Sequence, residues 1–165
     1  MKKFFFCFFC SILVSCACCA APDVDFALMS KSELSRWIST TELIVKDATV
    51  AFCKDLTPID VYSTDSRHAG KILKEGCIDA KAALGNISDF KKNPDRVLSA
   101  FLVDSSLASL LEMIDTLYNV NPRLTPRFLV DINSSLVKQK STFYPHFLAL
   151  ADAKDKATDK ISFSK

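Results

Sequence analysis

The sequence predicts an all-α protein, a four- to five-helix antiparallel bundle with one disulfide. Two observations predict the helices: apolar residues recur at spacings of three and four, and prolines mark the breaks between these stretches. The connections between the stretches are short, which favours antiparallel neighbours. A third observation predicts the disulfide, because only two cysteines, Cys53 and Cys77, follow the first 21 residues.

The first helix is predicted over about residues 30–54. Ser30-Lys31-Ser32-Glu33 has the spacing of a capping box, in which the serine and glutamate side chains satisfy free backbone amides. Apolar residues then recur on one face, and Thr57-Pro58 ends the pattern. Residues 59–65 are predicted as a loop that can hold one helical turn.

The second helix is predicted from about Ser66, and Gly85-Asn86 supplies its C-terminal cap. One face carries mostly small side chains at spacings of three and four, which suits close packing against a neighbouring helix: Ala69, Leu73, Gly76, Ala80 and Ala83.

The third helix is predicted to start at Asn93-Pro94-Asp95, with a cap, a proline in the first turn and an early carboxylate. It should end near Tyr118, before Asn121-Pro122. Its apolar residues cover more than a narrow stripe, so we expect this helix to be the central one.

Thr125-Pro126 predicts the start of a fourth helix, and Tyr144-Pro145 its end. A shorter fifth helix could begin at Pro145. Residues 22–150 therefore form the predicted bundle domain. Residues 151–165 alternate acids and lysines with few apolar side chains, which indicates a charged tail that is frayed or disordered.

The N-terminus has the pattern of an export signal over residues 1–21. Lys2 and Lys3 precede an apolar block, small residues follow it, and Pro22 comes next. No basic stop-transfer cluster follows, since Asp23 and Asp25 are the next charges. We therefore predict a cleaved signal, with a retained N-terminal membrane anchor as the alternative.

Within this segment, Leu13-Val14-Ser15-Cys16 resembles the lipobox of bacterial lipoprotein precursors. The resemblance covers residues 1–16 only, and no family is identified for the rest of the chain. It implies that Cys16 receives a diacylglycerol group, becomes the mature N-terminus and anchors the protein to a bacterial membrane, at the periplasmic or outer-membrane face. The alternative is cleavage near Ala20 or Ala21, which gives a soluble secreted or periplasmic protein.

Cys53 and Cys77 are predicted to form a disulfide, because thiols in an exported domain are commonly oxidised. Closing a loop of about 25 residues stabilises the fold by roughly 3 kcal/mol on the chain-entropy estimate. The alternative is two buried free cysteines. Cys77 lies about ten residues inside the second helix, so the pairing is incompatible with a tight hairpin between the first two helices.

The charge and motif content favours no cofactor, metal or nucleic-acid partner. The formal charge of +2 comes from Lys2 and Lys3, and residues 23–165 carry equal numbers of basic and acidic side chains. An evenly mixed surface gives no electrostatic basis for binding nucleic acid. After residue 21, no C-x-x-C or H-x-x-x-H pair with metal-ligand spacing is present.

Few residues are candidates for catalysis. His68 and His146 could each act as a general base, but neither lies in a known catalytic motif, and both are predicted to be exposed on helix surfaces. Glu112 and Asp115 share a helix face without a histidine partner, and we interpret them as a solvated edge.

Aromatic side chains are more numerous than a four-helix core strictly needs. We expect most of them to fill the core, although some could line a ligand groove or a partner surface: Phe26, Phe52, Phe90, Phe101, Phe128, Phe143 and Phe147.

The sequence therefore predicts an exported, lipid-anchored, non-enzymatic protein that acts as a binding or assembly module of the bacterial envelope. Its partner would be an unidentified protein or an apolar ligand, together with the membrane reached through the lipid. The alternatives are a helical carrier of an apolar ligand and a small secreted hydrolase that uses His68 or His146.

Overall fold

The computed structural model describes residues 28–54, 64–120, 122 and 127–162, and these residues are helical apart from short turns. It contains α1 (Lys31–Lys54), α2 (Thr64–Lys92), α3 (Val97–Val120) and α4 (Arg127–Ser162). The predicted all-α bundle is confirmed, with four helices in the described residues. The predicted signal, Cys16 and the 59–63 part of the predicted loop lie outside the described residues.

The four helices pack as an antiparallel bundle in which each contacts two neighbours, α1 with α2 and α4, and α3 with α2 and α4. The expectation that α3 is central is therefore wrong. It buries one stripe, like the other helices, and leaves Leu98, Phe101 and Leu102 exposed on its outer surface.

The core is formed by aliphatic and aromatic side chains from all four helices. Its largest fully buried members are Phe52, Phe90 and Phe143. Phe143 stacks on Trp37 with ring centroids 4.3 Å apart and meets Phe90 edge-on at 5.4 Å. These three rings join α1, α2 and α4 in one aromatic cluster, because Trp37 lies on α1 and Phe90 on α2.

The predicted capping box starts α1. The backbone amide of Ser30 donates to Glu33 Oε2 at 2.9 Å, and the amide of Glu33 donates to Ser30 Oγ at 3.3 Å. The Ser30 hydroxyl also donates to the same carboxylate at 2.6 Å, and these hydrogen bonds lower the pKa of Glu33. Free amides at the start of the helix are thus satisfied reciprocally, as the sequence pattern predicts.

The predicted end of α2 at Gly85-Asn86 is wrong, since the helix continues to Lys92. Ile87 and Phe90 are buried and extend the spacing of Ala80 and Ala83 by about another two turns. Burial of these two side chains favours a continued helix. It outweighs the poor helix propensity of Gly85, which costs only about 1 kcal/mol relative to alanine.

The predicted disulfide is present, with the Cα atoms of Cys53 and Cys77 5.0 Å apart. Cys53 is one residue from the end of α1, whereas Cys77 is 13 residues into α2. The 13 residues of α2 before Cys77 therefore extend about 20 Å beyond the disulfide, so the two helices do not form a tight hairpin. Ala69, Ile72 and Leu73 in this extension are buried.

α3 begins at Val97, three residues later than its predicted start. The amide of Asn93 donates to the carbonyls of Asp89 and Phe90 and so ends α2, and the amide of Arg96 donates to the carbonyl of Asn93. Residues 93–96 therefore form a tight turn between the two helices.

The predicted break at Tyr144-Pro145 is wrong as well, since Pro145 lies inside α4, which runs from Arg127 to Ser162 in place of the predicted fourth and fifth helices. Phe143, His146 and Leu150 are buried on one helix face across the proline. Their packing outweighs the lost backbone hydrogen bond of Pro145, which on an exposed helix would cost about 3 kcal/mol. The predicted tail continues α4 to Ser162, and residues 152–157 are exposed.

Candidate functional site

Two candidate binding features lie at the same end of the bundle, which we call the Met29 end. It is formed by the start of α1, the turn at residues 93–96 and the part of α4 around His146. A cleft opens here between the helices, and an apolar surface covers the neighbouring outer faces of α3 and α4.

The first feature is the His146 cleft, with a volume of about 530 Å³. Its apolar walls come from α1, the preceding residues and α4, and charged groups of α1, α2 and the 93–96 turn stand at its edge. The lining residues are Leu28, Met29, Lys31, Leu34, Ser35, Ile38, Lys91, Pro94, Asp95, His146 and Leu150. An apolar cleft with a few polar groups is the usual form of a small-molecule site.

His146 is 5% exposed, so its predicted place on a helix surface is wrong. The backbone amide of Met29 donates to its Nδ1 at 3.0 Å. An accepting Nδ1 carries no proton, so the neutral ring holds its proton on Nε2. Nε2 is buried and has no hydrogen-bond partner among the described residues.

Burial lowers the pKa of His146 below its usual value of 6.5, and the charge of Asp95 partly opposes this shift. The ring is therefore neutral at neutral pH. It is a fixed, uncharged hydrogen-bond donor beside an apolar cleft.

The second feature, the aromatic face, consists of Leu98, Phe101 and Leu102 on α3 with Tyr144 and Phe147 on α4. Phe101 and Phe147 lie with ring centroids 6.3 Å apart, and Tyr144 and Phe147 6.5 Å apart. Leu98 and Phe101 are each 51% exposed and Tyr144 is 46% exposed. Contiguous exposed apolar patches commonly mark interaction surfaces, whereas single exposed apolar residues do not.

An ion pair borders the aromatic face. Lys140 Nζ lies 3.0 Å from Asp104 Oδ1, and both side chains are mostly buried. The same ammonium group lies 5.3 Å from the centroid of the Tyr144 ring. The ammonium group is thus paired with Asp104 and also makes a cation–π contact with Tyr144, and this contact holds Tyr144 at the edge of the aromatic face.

Two further concavities lie along the contact of α1 with α4. One, of about 580 Å³, is on the other side of Met29 and includes Trp37 and Gln139. The other, of about 430 Å³, lies near the opposite end between Ile44 and Phe128. Gln139 joins α4 to α1 along this contact. Its backbone carbonyl accepts a hydrogen bond from Trp37 Nε1, and its side-chain Oε1 accepts one from the Thr41 hydroxyl, each at 3.0 Å.

The residues singled out as catalytic candidates do not come together. His68 is exposed on α2 near the far end from His146. In the described part of the chain, neither histidine makes a hydrogen bond to a serine hydroxyl or a carboxylate. Glu112 and Asp115 are exposed, as predicted, and no cluster of three or more metal-ligating side chains occurs among the described residues.

The aromatic face was not predicted from the sequence as a unit. Of the seven phenylalanines considered, Phe52, Phe90 and Phe143 fill the core, whereas Phe101 and Phe128 are 51% and 41% exposed. Phe147 is partly buried, and Phe26 lies outside the described residues. The sequence signal for this face was that the apolar residues of α3 cover more than one stripe. Each helix of a four-helix bundle buries one stripe, so the remaining apolar residues of α3 face outward.

No protein-family model, curated protein or solved structure is similar to this chain. Among the described residues, α3 is the one helix that is long and apolar enough to cross a membrane, and a third of its most apolar window is buried in the bundle. The core helix of a soluble protein meets the same criterion.

Proposed function

We propose that the protein is an exported, lipid-anchored and non-enzymatic binding module of a bacterial envelope. The observation that carries the proposal is the lipobox-like Leu13-Val14-Ser15-Cys16 behind Lys2-Lys3 and an apolar block. The Cys53–Cys77 disulfide supports it, because structural disulfides belong to oxidising compartments outside the cytosol.

The aromatic face is the part of the folded domain that supports a binding role. A core-filling account of the aromatic residues would bury Phe101 and Tyr144, yet about half of each side chain is exposed. Exposed apolar area of this kind costs solubility, so its presence is best explained by contact with another surface.

The anchor is tested by expressing the full chain in a bacterial host that is fed an alkyne analogue of palmitate. The wild type should be labelled, and globomycin should make its precursor accumulate. Cys16→Ser should abolish labelling, whereas the matched variants Cys18→Ser and Cys19→Ser should retain it. Labelling that survives Cys16→Ser, or a mature N-terminus near Ala20 in mass spectrometry, would refute the anchor.

A second candidate function is that of a carrier for an apolar ligand bearing a hydrogen-bond acceptor. The observation that favours it is the His146 cleft together with a buried Nε2 donor that has no partner among the described residues. An acceptor atom brought to Nε2 would satisfy a group whose unpaired burial costs roughly 1–3 kcal/mol.

Native mass spectrometry of protein purified from its host tests the carrier function. We expect an additional mass that is lost in Ser35→Trp, which places a ring in the cleft, and kept in Ser39→Trp, one turn further along the exposed side of α1. Protein that is always free of additional mass would argue against a carrier.

A further inference from the structure

We propose that the aromatic face docks on the surface of the phospholipid bilayer to which Cys16 anchors the protein. Its rings and leucines enter the zone between headgroups and acyl chains. The inference rests on the proposed lipid anchor and adds an orientation: the Met29 end faces the membrane, and the opposite end of the bundle faces away from it.

The aromatic face lies at the same end of the bundle as Leu28, where the tether from Cys16 reaches the described fold. Cys16 precedes Leu28 by twelve residues, which span at most about 40 Å when fully extended. Leu28 lies at the Met29 end, and so do both parts of the face: Leu98 and Phe101 are in the first two turns of α3, and Phe147 follows His146 directly. A lipid on Cys16 therefore holds this end of the bundle close to the bilayer.

The side chains of the aromatic face suit the boundary between water and lipid. Phenylalanine and leucine side chains gain free energy when they leave water, and a tyrosine ring fits the boundary because its body is apolar and its hydroxyl polar. Tyr144 lies at the edge of the face, where the paired ammonium group of Lys140 lies 5.3 Å from its ring centroid.

The tether also removes the need for tight binding. An isolated face of five side chains would bind lipid weakly, but an anchored one meets the bilayer at an effective concentration set by the short linker. The equal numbers of basic and acidic residues after position 22 indicate that apolar contact, not charge, drives the docking. Zwitterionic and anionic bilayers should then be bound equally well.

The test uses full-length lipidated protein in phosphatidylcholine vesicles that contain doxyl-labelled lipid, a quencher of tryptophan fluorescence. Tyr144→Trp places a reporter on the face, and Phe128→Trp places one of similar exposure near the opposite end. Trp37 is common to all samples and is buried, so it contributes a constant background. We expect several-fold stronger quenching for Tyr144→Trp than for Phe128→Trp or the wild type.

Removing apolar contacts should release the face. Adding Phe101→Ser and Phe147→Ser to Tyr144→Trp should lower its quenching to the level of Phe128→Trp, whereas adding Leu43→Ser, on exposed α1 surface, should not. Equal quenching of the two reporters would overturn the proposal, and so would quenching that requires phosphatidylglycerol. A dimer in detergent that Phe101→Ser makes monomeric would also overturn it, because a second copy would then cover the face.

The anchor and the docking can fail separately. Palmitate labelling and mass spectrometry of the reconstituted protein test the lipid on Cys16 before any quenching is measured. A labelled protein without quenching refutes the docking alone, and an unlabelled protein refutes the proposed anchor and, with it, the orientation.

Discussion

The ring of Phe52 occupies the space that a β-carbon on Gly76 would need. Such a carbon would lie 2.6 Å from Cδ1 and Cε1 of the ring, closer than side-chain atoms approach in folded proteins. The absence of a side chain at position 76 therefore lets the buried Phe52 pack directly on the backbone of α2.

Gly76→Ala should destabilise the protein. Phe52 is fully buried and cannot move without disturbing its neighbours, so we expect the free energy of unfolding to fall by about 1–3 kcal/mol. The better helix propensity of alanine should offset part of this loss. Gly85→Ala is the control, since its added carbon meets nothing within 4 Å, and it should stabilise the helix by about 0.5–1 kcal/mol. Urea unfolding measures both changes, and a Gly76→Ala protein as stable as the control would contradict the packing.

Loss of the disulfide should weaken the fold without changing its helix content. Cys53 and Cys77 enclose a loop whose two ends are already held by α1–α2 packing, so the crosslink acts mainly on the unfolded chain. We expect reduction, or the double substitution Cys53→Ala with Cys77→Ala, to lower the free energy of unfolding by about 2–4 kcal/mol.

Circular dichroism and denaturant titration, each with and without reductant, provide the measurement. The double variant is the control for the reductant itself and should not respond to it. Unchanged stability of the wild type on reduction, or alkylation of both cysteines before reduction, would show that the bond is absent.

The start of α1 was predictable because its capping box is a local interaction of Ser30 with Glu33, only three residues apart. The disulfide was predictable because only two cysteines follow the first 21 residues. Local signals failed where burial decided the outcome. Gly85 and Pro145 both predict helix ends, yet the core side chains on either side of each keep the helix intact.

The candidate site was less predictable, because it depends on which helices are neighbours. Phe101 and Phe147 are 46 positions apart, and nothing local indicates that their rings meet. The apolar neighbours of His146 in the sequence do not distinguish a buried histidine from one on the surface. Its burial follows from the position of Met29, 117 residues away.

Stability should fall on acidification through His146. Burial lowers the pKa of its ring in the folded protein, so the unfolded chain binds a proton first as the pH falls. The stabilisation is therefore fully present above about pH 6.5 and is lost as the pH falls toward the lower pKa of the folded state.

Urea unfolding at pH 7.5 and pH 5 tests this prediction. His146→Gln, whose side-chain oxygen can still accept from Met29, should lose less stability between the two pH values than the wild type does. His68→Gln changes an exposed histidine and should keep the wild-type difference. The same difference in His146→Gln and the wild type would show that other groups cause the pH dependence.

The stacked pair of Trp37 and Phe143 predicts a stability change with its own optical signal. Phe143→Leu removes the stacked ring and the edge contact with Phe90 and leaves a gap in a fully buried position. We expect a loss of about 1.5–3 kcal/mol, since an aromatic pair contributes about 0.5–1.5 kcal/mol beyond its buried area. Phe147→Leu, at a partly exposed position of the same helix, should cost less than about 1 kcal/mol.

Trp37, the single tryptophan, reports this change directly. Its emission should shift in Phe143→Leu and stay at the wild-type wavelength in Phe147→Leu, because Phe143 stacks on its ring whereas Phe147 packs against Phe101. Guanidinium unfolding followed by this emission gives both stabilities from one titration. Equal losses in the two variants would contradict the prediction, because the stack would then add nothing to the packing of α1 against α4.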